Sequence, residues 1–135
     1  MFFRNQTTAP KTRSSADRRE IGTLGESLAV KALKKGGYHI VALNHRCKLG
    51  EIDIIAKDGD SLAFVEVKTR RTGRFGEPKM AVTADKQRKI SMVALDYLKE
   101  TGQTNEKARF DVVAIRLSQG GPKIEIIKNA FDLAY

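Results

Sequence analysis

The chain has 135 residues, a single cysteine and a formal net charge of +9. That length suits one domain with a sizeable core and excludes two comfortable ones. Cys47 on its own excludes an internal disulfide and fits a reducing, cytoplasmic setting. No run approaches the roughly 20 apolar residues of a membrane helix, so a soluble protein without membrane contact is expected.

The charge is unevenly placed. Residues 1–35 carry eight Lys and Arg against three acids, and residues 66–90 again carry eight against three. Residues 36–65 hold three against four, and residues 91–135 hold six against six. The surplus lies in the N-terminal third and just after Glu66, which points to a polyanion as partner, because neutralising phosphates releases counterions.

Met1 to Arg19 is rich in Ser, Thr and Arg and lacks hydrophobic periodicity. It reads as a disordered basic tail before a single domain over residues 20–135. A faint likeness to a transit peptide is opposed by Asp17, and no signal-peptide core is present. Glu20 to Lys35 reads as the first helix, with Ile21, Leu24, Leu28, Ala29 and Ala32 as its apolar stripe and Gly36-Gly37 as its stop. Gly22 and Gly25 lie in or beside that stripe, where a missing side chain lets helix and sheet approach closely. Glu26 falls on its flank, placed either to lean over the sheet edge or to face water. Tyr38 to Arg46 follows as a strand.

Glu51 to Lys57 and Leu62 to Thr69 are rich in β-branched residues and flank the turn signal Asp58-Gly59-Asp60, so they predict a β-hairpin. Side chains alternate with period two, and only an even-numbered turn sorts them into usable faces. One face is then Ile52, Ile54, Ala56, Ala63, Val65 and Val67, all apolar. The other is Ile55, Leu62 and Phe64 near the turn, with Glu51, Asp53, Glu66 and Lys68 at the open end. In this register Asp53 and Glu66 lie roughly 5 Å apart if directly opposite, or roughly 7 to 8 Å on a diagonal. Facing carboxylates destabilise a sheet unless something cationic joins them. Either Mg²⁺ does so, a hard ion that takes carboxylate oxygens, water and substrate phosphate, or Lys68 does, in an ordinary salt-bridge cluster.

The segment RRTGRFGEPKMAV, between Lys68 and the next helix, reads as a loop. Arg70, Arg71, Arg74 and Lys79 are candidate phosphate contacts, and Phe75 is either a stacking platform or a hydrophobic anchor. Thr83 is a predicted N-cap, with a helix running to about Thr101 and burying Ile90, Val93, Ala94, Tyr97 and Leu98. Lys86 and Gln87 precede that stripe by one turn and should face the sheet near its active end. Arg109 to Leu117 and Lys123 to Lys128 are the last strands, and the helix before them predicts a right-handed, parallel β-α-β crossover. Asp111 reads as a structural edge charge or a supporting acid.

Taken together, GTLGESLA at Gly22–Ala29, GEIDIIA at Gly50–Ala56 and FVEVKTR at Phe64–Arg70 resemble the YraN-like family of small bacterial proteins. Asp53 followed by Glu66-Val67-Lys68 also resembles the PD-(D/E)xK nuclease signature, with Ile52 at the proline position, and the family is similar to archaeal Holliday junction resolvases. The resemblance covers roughly Ile21 to Phe131. It implies a restriction-endonuclease-like α/β fold in the order α-β-β-β-α-β-β, acting on DNA and forming a homodimer. Asp53, Glu66 and the backbone carbonyl of Val67 would hold Mg²⁺ or Mn²⁺, with Glu26 bound through water. Lys68 would be the catalytic lysine, and Gln87 and Lys86 polar helix residues reaching the site. The alternative is a nucleic-acid-binding protein on the same fold that does not cleave; a phosphoesterase for small nucleotides is disfavoured by the size of the basic excess.

Overall fold

The computed structural model describes residues 15–71 and 82–134. Its elements are α1 (Ser15–Lys35), β1 (His39–Cys47), β2 (Gly50–Asp58), β3 (Ser61–Arg71), α2 (Ala84–Glu100), β4 (Lys107–Leu117) and β5 (Lys123–Phe131). This is the expected α-β-β-β-α-β-β order of a mixed α/β domain. The five strands form one sheet in sequence order, β1-β2-β3-β4-β5. Only β3 and β4 pair in parallel, and α2 lies between them in the chain, as a crossover connection requires.

The helices cover opposite faces. On one face Ala29 and Leu33 of α1 pack with Ile54, Ala56, Ala63, Val65, Val113 and Ile115. On the other, Ile90, Val93, Ala94 and Leu98 of α2 pack with Ile52, Ile55, Leu62, Phe64, Phe110 and Val112. Each fully buried Leu, Ile or Val contributes roughly 1.5–3 kcal/mol relative to exposure. β3 is thus covered on both sides, its odd positions facing α1 and its even positions facing α2.

Several expectations are corrected. The first helix begins at Ser15 and not at Glu20, so it takes in the last residues assigned to the tail; Arg18, Arg19 and Glu20 are good helix formers, and an acid such as Asp17 favours a helix N-terminus. Residues 1–14 lie outside the described residues. The buried line of α1 is Gly25, Ala29 and Leu33, at i, i+4 and i+8, while Leu24 is 47% exposed. The close approach falls at Gly25 alone, where an added Cβ would sit 2.1 Å from Thr69 Oγ1; Gly22 has open space. Arg70 and Arg71 belong to β3 and not to the loop, paired with Arg116 and Leu117 of β4.

Asp111 is not an edge charge. It is fully buried in an interior strand, where it accepts hydrogen bonds from Tyr38 Oη at 2.8 Å, Arg109 Nε at 2.9 Å and the Asn129 backbone N–H at 3.0 Å. Arg109 also donates to Asp58, which Lys128 reaches at 2.9 Å. Burial and the hydrogen bond to Asp111 push the Tyr38 hydroxyl up to about 12. This network ties β2, β4 and β5 together at the turn end of the hairpin, away from Asp53.

Candidate metal centre

The turn Gly59-Asp60 closes the β2–β3 hairpin with an even register, in which Ile54 faces Val65 and Asp58 faces Ser61. Beyond Ile54 the two strands part. At that point the Asp53 carboxylate takes the place of a strand carbonyl, its Oδ2 accepting from the Val67 backbone N–H at 2.8 Å. The same local break corrects the predicted face of Ile52, which packs on the α2 side with Ile55 while Ile54 packs on the α1 side. Asn44 explains the change of face. It lies between the pairs Leu43–Ile54 and His45–Ile52, opposite Asp53, and has a left-handed φ of 51°, which Asn tolerates better than most residues.

Glu66 projects from β3 toward the α2 side and is 7% exposed. It shares a hydrogen bond with Asp53. Two cations stand nearby: Lys68 Nζ is 4.0 Å from Glu66 Oε2, and Lys86 Nζ, from the first turns of α2, is 3.8 Å away. Both distances exceed hydrogen-bond length, so they act through space only. The balance of these effects decides how readily Glu66 gives up its proton. Burial first, and then the Asp53 charge, push the Glu66 carboxyl up to about 7 against the opposing pull of Lys86 and Lys68. Asp53 is also raised, by burial, although the Val67 N–H holds it down in part. Near neutral pH the pair therefore retains a proton that the two lysines fail to displace.

Glu51 is diverted from this cluster, its carboxylate lying 3.5 Å from Arg46 across the β1–β2 pair. Lys68 accordingly has Glu66 as its partner. Lys86 is aimed by the Thr83 cap, whose hydroxyl accepts from the Lys86 backbone N–H at 3.2 Å and fixes the start of α2 above β3. Gln87 sits one residue on, with its amide donating to the Val82 carbonyl at 2.8 Å. Glu26 is half-buried and accepts from Asn44 Nδ2 at 3.1 Å, so α1 brings it to the same region from the other side of the sheet. Among the described residues no three His, Cys, Asp or Glu side chains come together as a metal cage. Glu26 is thus not grouped with Asp53 and Glu66 in that way.

Arg70 shares the Glu66 and Lys68 face of β3 and donates to the Thr69 carbonyl at 3.0 Å. Arg71, one residue later, points to the α1 face by strand alternation. Arg74, Phe75 and Lys79 lie outside the described residues. Sequence reasoning missed Asn44. Its signal was an Asn, a residue of poor strand propensity, set within a strand directly after the apolar run Ile40–Leu43.

The donor set suits a hard divalent ion. Both carboxyls are shifted upward, and such an ion would take the place of the proton they hold while relieving the repulsion between them. Among the described residues no helix is long and apolar enough to cross a membrane.

Comparison with known proteins places this chain in a family. Residues 25–115 match the profile of the uncharacterised protein family UPF0102. The chain is 52% identical over 114 residues to a UPF0102 protein of Syntrophus aciditrophicus, covering 84% of this chain and 90% of that one. It is 54% identical over 115 residues to one of Desulfosudis oleivorans, covering 85% and 92%. With a UPF0102 protein of Geobacter metallireducens the identity is 50% over 121 residues, covering 90% and 99%.

Proposed function

This chain belongs to the UPF0102 (YraN-like) family, and from its carboxylate pair we propose that it is a metal-dependent nuclease that hydrolyses DNA phosphodiester bonds, branched DNA included. The observation that carries the proposal is the Asp53–Glu66 pair, its Glu66 buried and left short of neutralisation by two lysines that stand 3.8 and 4.0 Å from it. A sheet gains nothing in stability from such a pair. The pair makes sense as a cation site.

Asp53, Glu66 and the Val67 carbonyl would hold Mg²⁺ or Mn²⁺, with Glu26 joining through water. When bound, the ion supplies Lewis-acid activation of the phosphate and lowers the pKa of a water molecule. The chain's own groups do the rest. Asp53 is fixed in direction by the Val67 N–H, so its free oxygen is aimed without further reorganisation. Lys68, two residues beyond Glu66 on the same face, places an ammonium where negative charge grows on the phosphate and stabilises it there. Lys86 adds a second positive charge from α2 and holds the anionic substrate against the pair. Asn44 orients Glu26.

The test compares the parent chain with Asp53→Asn on linear, flapped and four-way DNA, in Mg²⁺, in Mn²⁺ and in EDTA. Asn retains an oxygen for the Val67 N–H, so the fold is kept. The expected outcome is metal-dependent cleavage that drops at least about a hundredfold in the variant. Equal cleavage by both preparations overturns the assignment. Salt-sensitive binding with no turnover in either metal selects a binding protein that does not cleave.

A further inference from the structure

Strand register aligns three cations in a row beyond the carboxylate pair. Arg70 of β3 pairs with Arg116 of β4, and Arg116 pairs with Lys123 of β5. All three fall on the α2 face, because Phe64 and Val112 of the same parity pack under α2 and Arg116 and Lys123 are directly paired. With neighbouring strands roughly 5 Å apart, the row runs about 10 Å across the sheet. It lies about 13 Å from Glu66, four residues along β3 at about 3.3 Å each.

In the next row toward the site Lys68 is followed by Ala114, whose small side chain leaves room, and then by Glu125. A cavity of about 180 Å³ lies there, lined by Ala114, Arg116, Lys123, Ile124 and Glu125. Among the described residues of these two rows Glu125 is the one acid. The turn beyond is held by Ser118 Oγ, which donates to the Gly121 carbonyl at 2.7 Å and so fixes where β5 begins and where Lys123 stands.

We propose that Arg70, Arg116 and Lys123 form a binding track for the phosphodiester backbone of nucleic acid, gripping the strand to one side of the position cut at Asp53 and Glu66. This rests on the nucleic-acid reading above and extends it to residues outside the carboxylate site. Phosphates advance about 3.4 Å along the axis per nucleotide of a duplex strand, so the track meets the backbone roughly four nucleotides from the scissile bond. It carries no base-reading group, so it supplies affinity and register without sequence preference.

The experiment measures binding of the full chain to a short labelled DNA duplex in EDTA, as a function of salt. In EDTA no cleavage intervenes, so the result does not depend on whether the metal assignment holds. For the double variant Arg116→Gln, Lys123→Gln, the slope of log K against log salt should flatten by about 1.8, which is a loss of roughly sixty-fold at 0.1 M salt. Lys123→Gln alone, at an exposed position, should flatten it by about 0.9. Arg116→Lys should retain the parent slope, which separates charge from any structural part that Arg116 plays. Lys34→Gln, Lys35→Gln, in the last turn of α1, serves as a control and should leave the slope unchanged. A parent slope in both track variants overturns the proposal, as does absence of duplex binding by the parent. Normal row-dependent binding without any Asp53-dependent cleavage sinks the nuclease reading and leaves the track standing.

Discussion

Glu66→Gln tests whether the acids repel or are held by their lysines. Gln keeps the size of the side chain and can donate to Asp53, while removing one charge. In the parent, Glu66 is raised from 4.5 to about 7. An acid raised in this way binds its proton more tightly folded than unfolded. The stability it confers is therefore complete below pH 4.5 and fades as pH climbs through 7. At about 1.36 kcal/mol per pH unit, the parent carries a penalty of up to about 3 kcal/mol at pH 8 that the variant lacks. For a domain of this size each kcal/mol moves the melting temperature by about 4 °C. Thermal unfolding in EDTA should thus show the variant melting about 5–10 °C above the parent near pH 8, and much closer to it near pH 5. Adding Mg²⁺ should raise the parent and leave the variant in place. A variant that melts below the parent at pH 8 in EDTA would refute the reasoning, since attraction to Lys68 and Lys86 would then outweigh repulsion from Asp53.

Other perturbations give distinct outcomes. Lys68→Ala should lower the cleavage rate by about a hundred- to a thousandfold while isothermal titration finds Mn²⁺ affinity nearly unchanged, because the ammonium acts on the phosphate and not as a ligand. Divalent-ion affinity of the parent should rise as pH increases toward about 7 and then level off, since the ion displaces the proton held by the pair; a flat profile argues against that exchange. Gly25→Ala places a Cβ 2.1 Å from Thr69 Oγ1 and should cost about 1–3 kcal/mol by chemical denaturation, with Thr69→Ala restoring part of the loss. Asp111→Asn strips the buried charge facing Arg109 and should cost about 3–5 kcal/mol, a fall in stability that leaves the carboxylate site untouched.

The hairpin could be read from the sequence because one arrangement alone buries Ile54, Ala56, Ala63 and Val65 together, and the structure adopts it. The parallel pairing of β3 and β4 followed from the helix between them. What escaped depended on partners far apart in the chain. Ile52 changes face because of Asn44, an adjustment that period-two counting does not register. Asp111 looked like an edge residue because Tyr38, 73 positions away, gives no sign in the sequence of meeting it. Leu24 matched the helical period of α1 yet stays exposed, since the glycine at position 25 turns the line of closest approach toward Ala29 and Leu33. At the site, the order of Asp53, Glu66 and Lys68 was legible as a pattern. The position of Lys86 needed the Thr83 cap and the helix phase together.

Asn44 at φ 51° and Asn129 at φ 53°, both left-handed in backbone, stand in β1 and β5, the outermost strands. Val41, Leu43 and Ile124 on those rims are exposed, which would otherwise invite a further chain to add edge to edge. Irregular pairing near Ile40–Ala42 in β1 and opposite Phe110–Val112 in β5 bends both rims out of the flat shape that such stacking needs. Departures from regular pairing in both outermost strands thus serve as a guard against fibre growth.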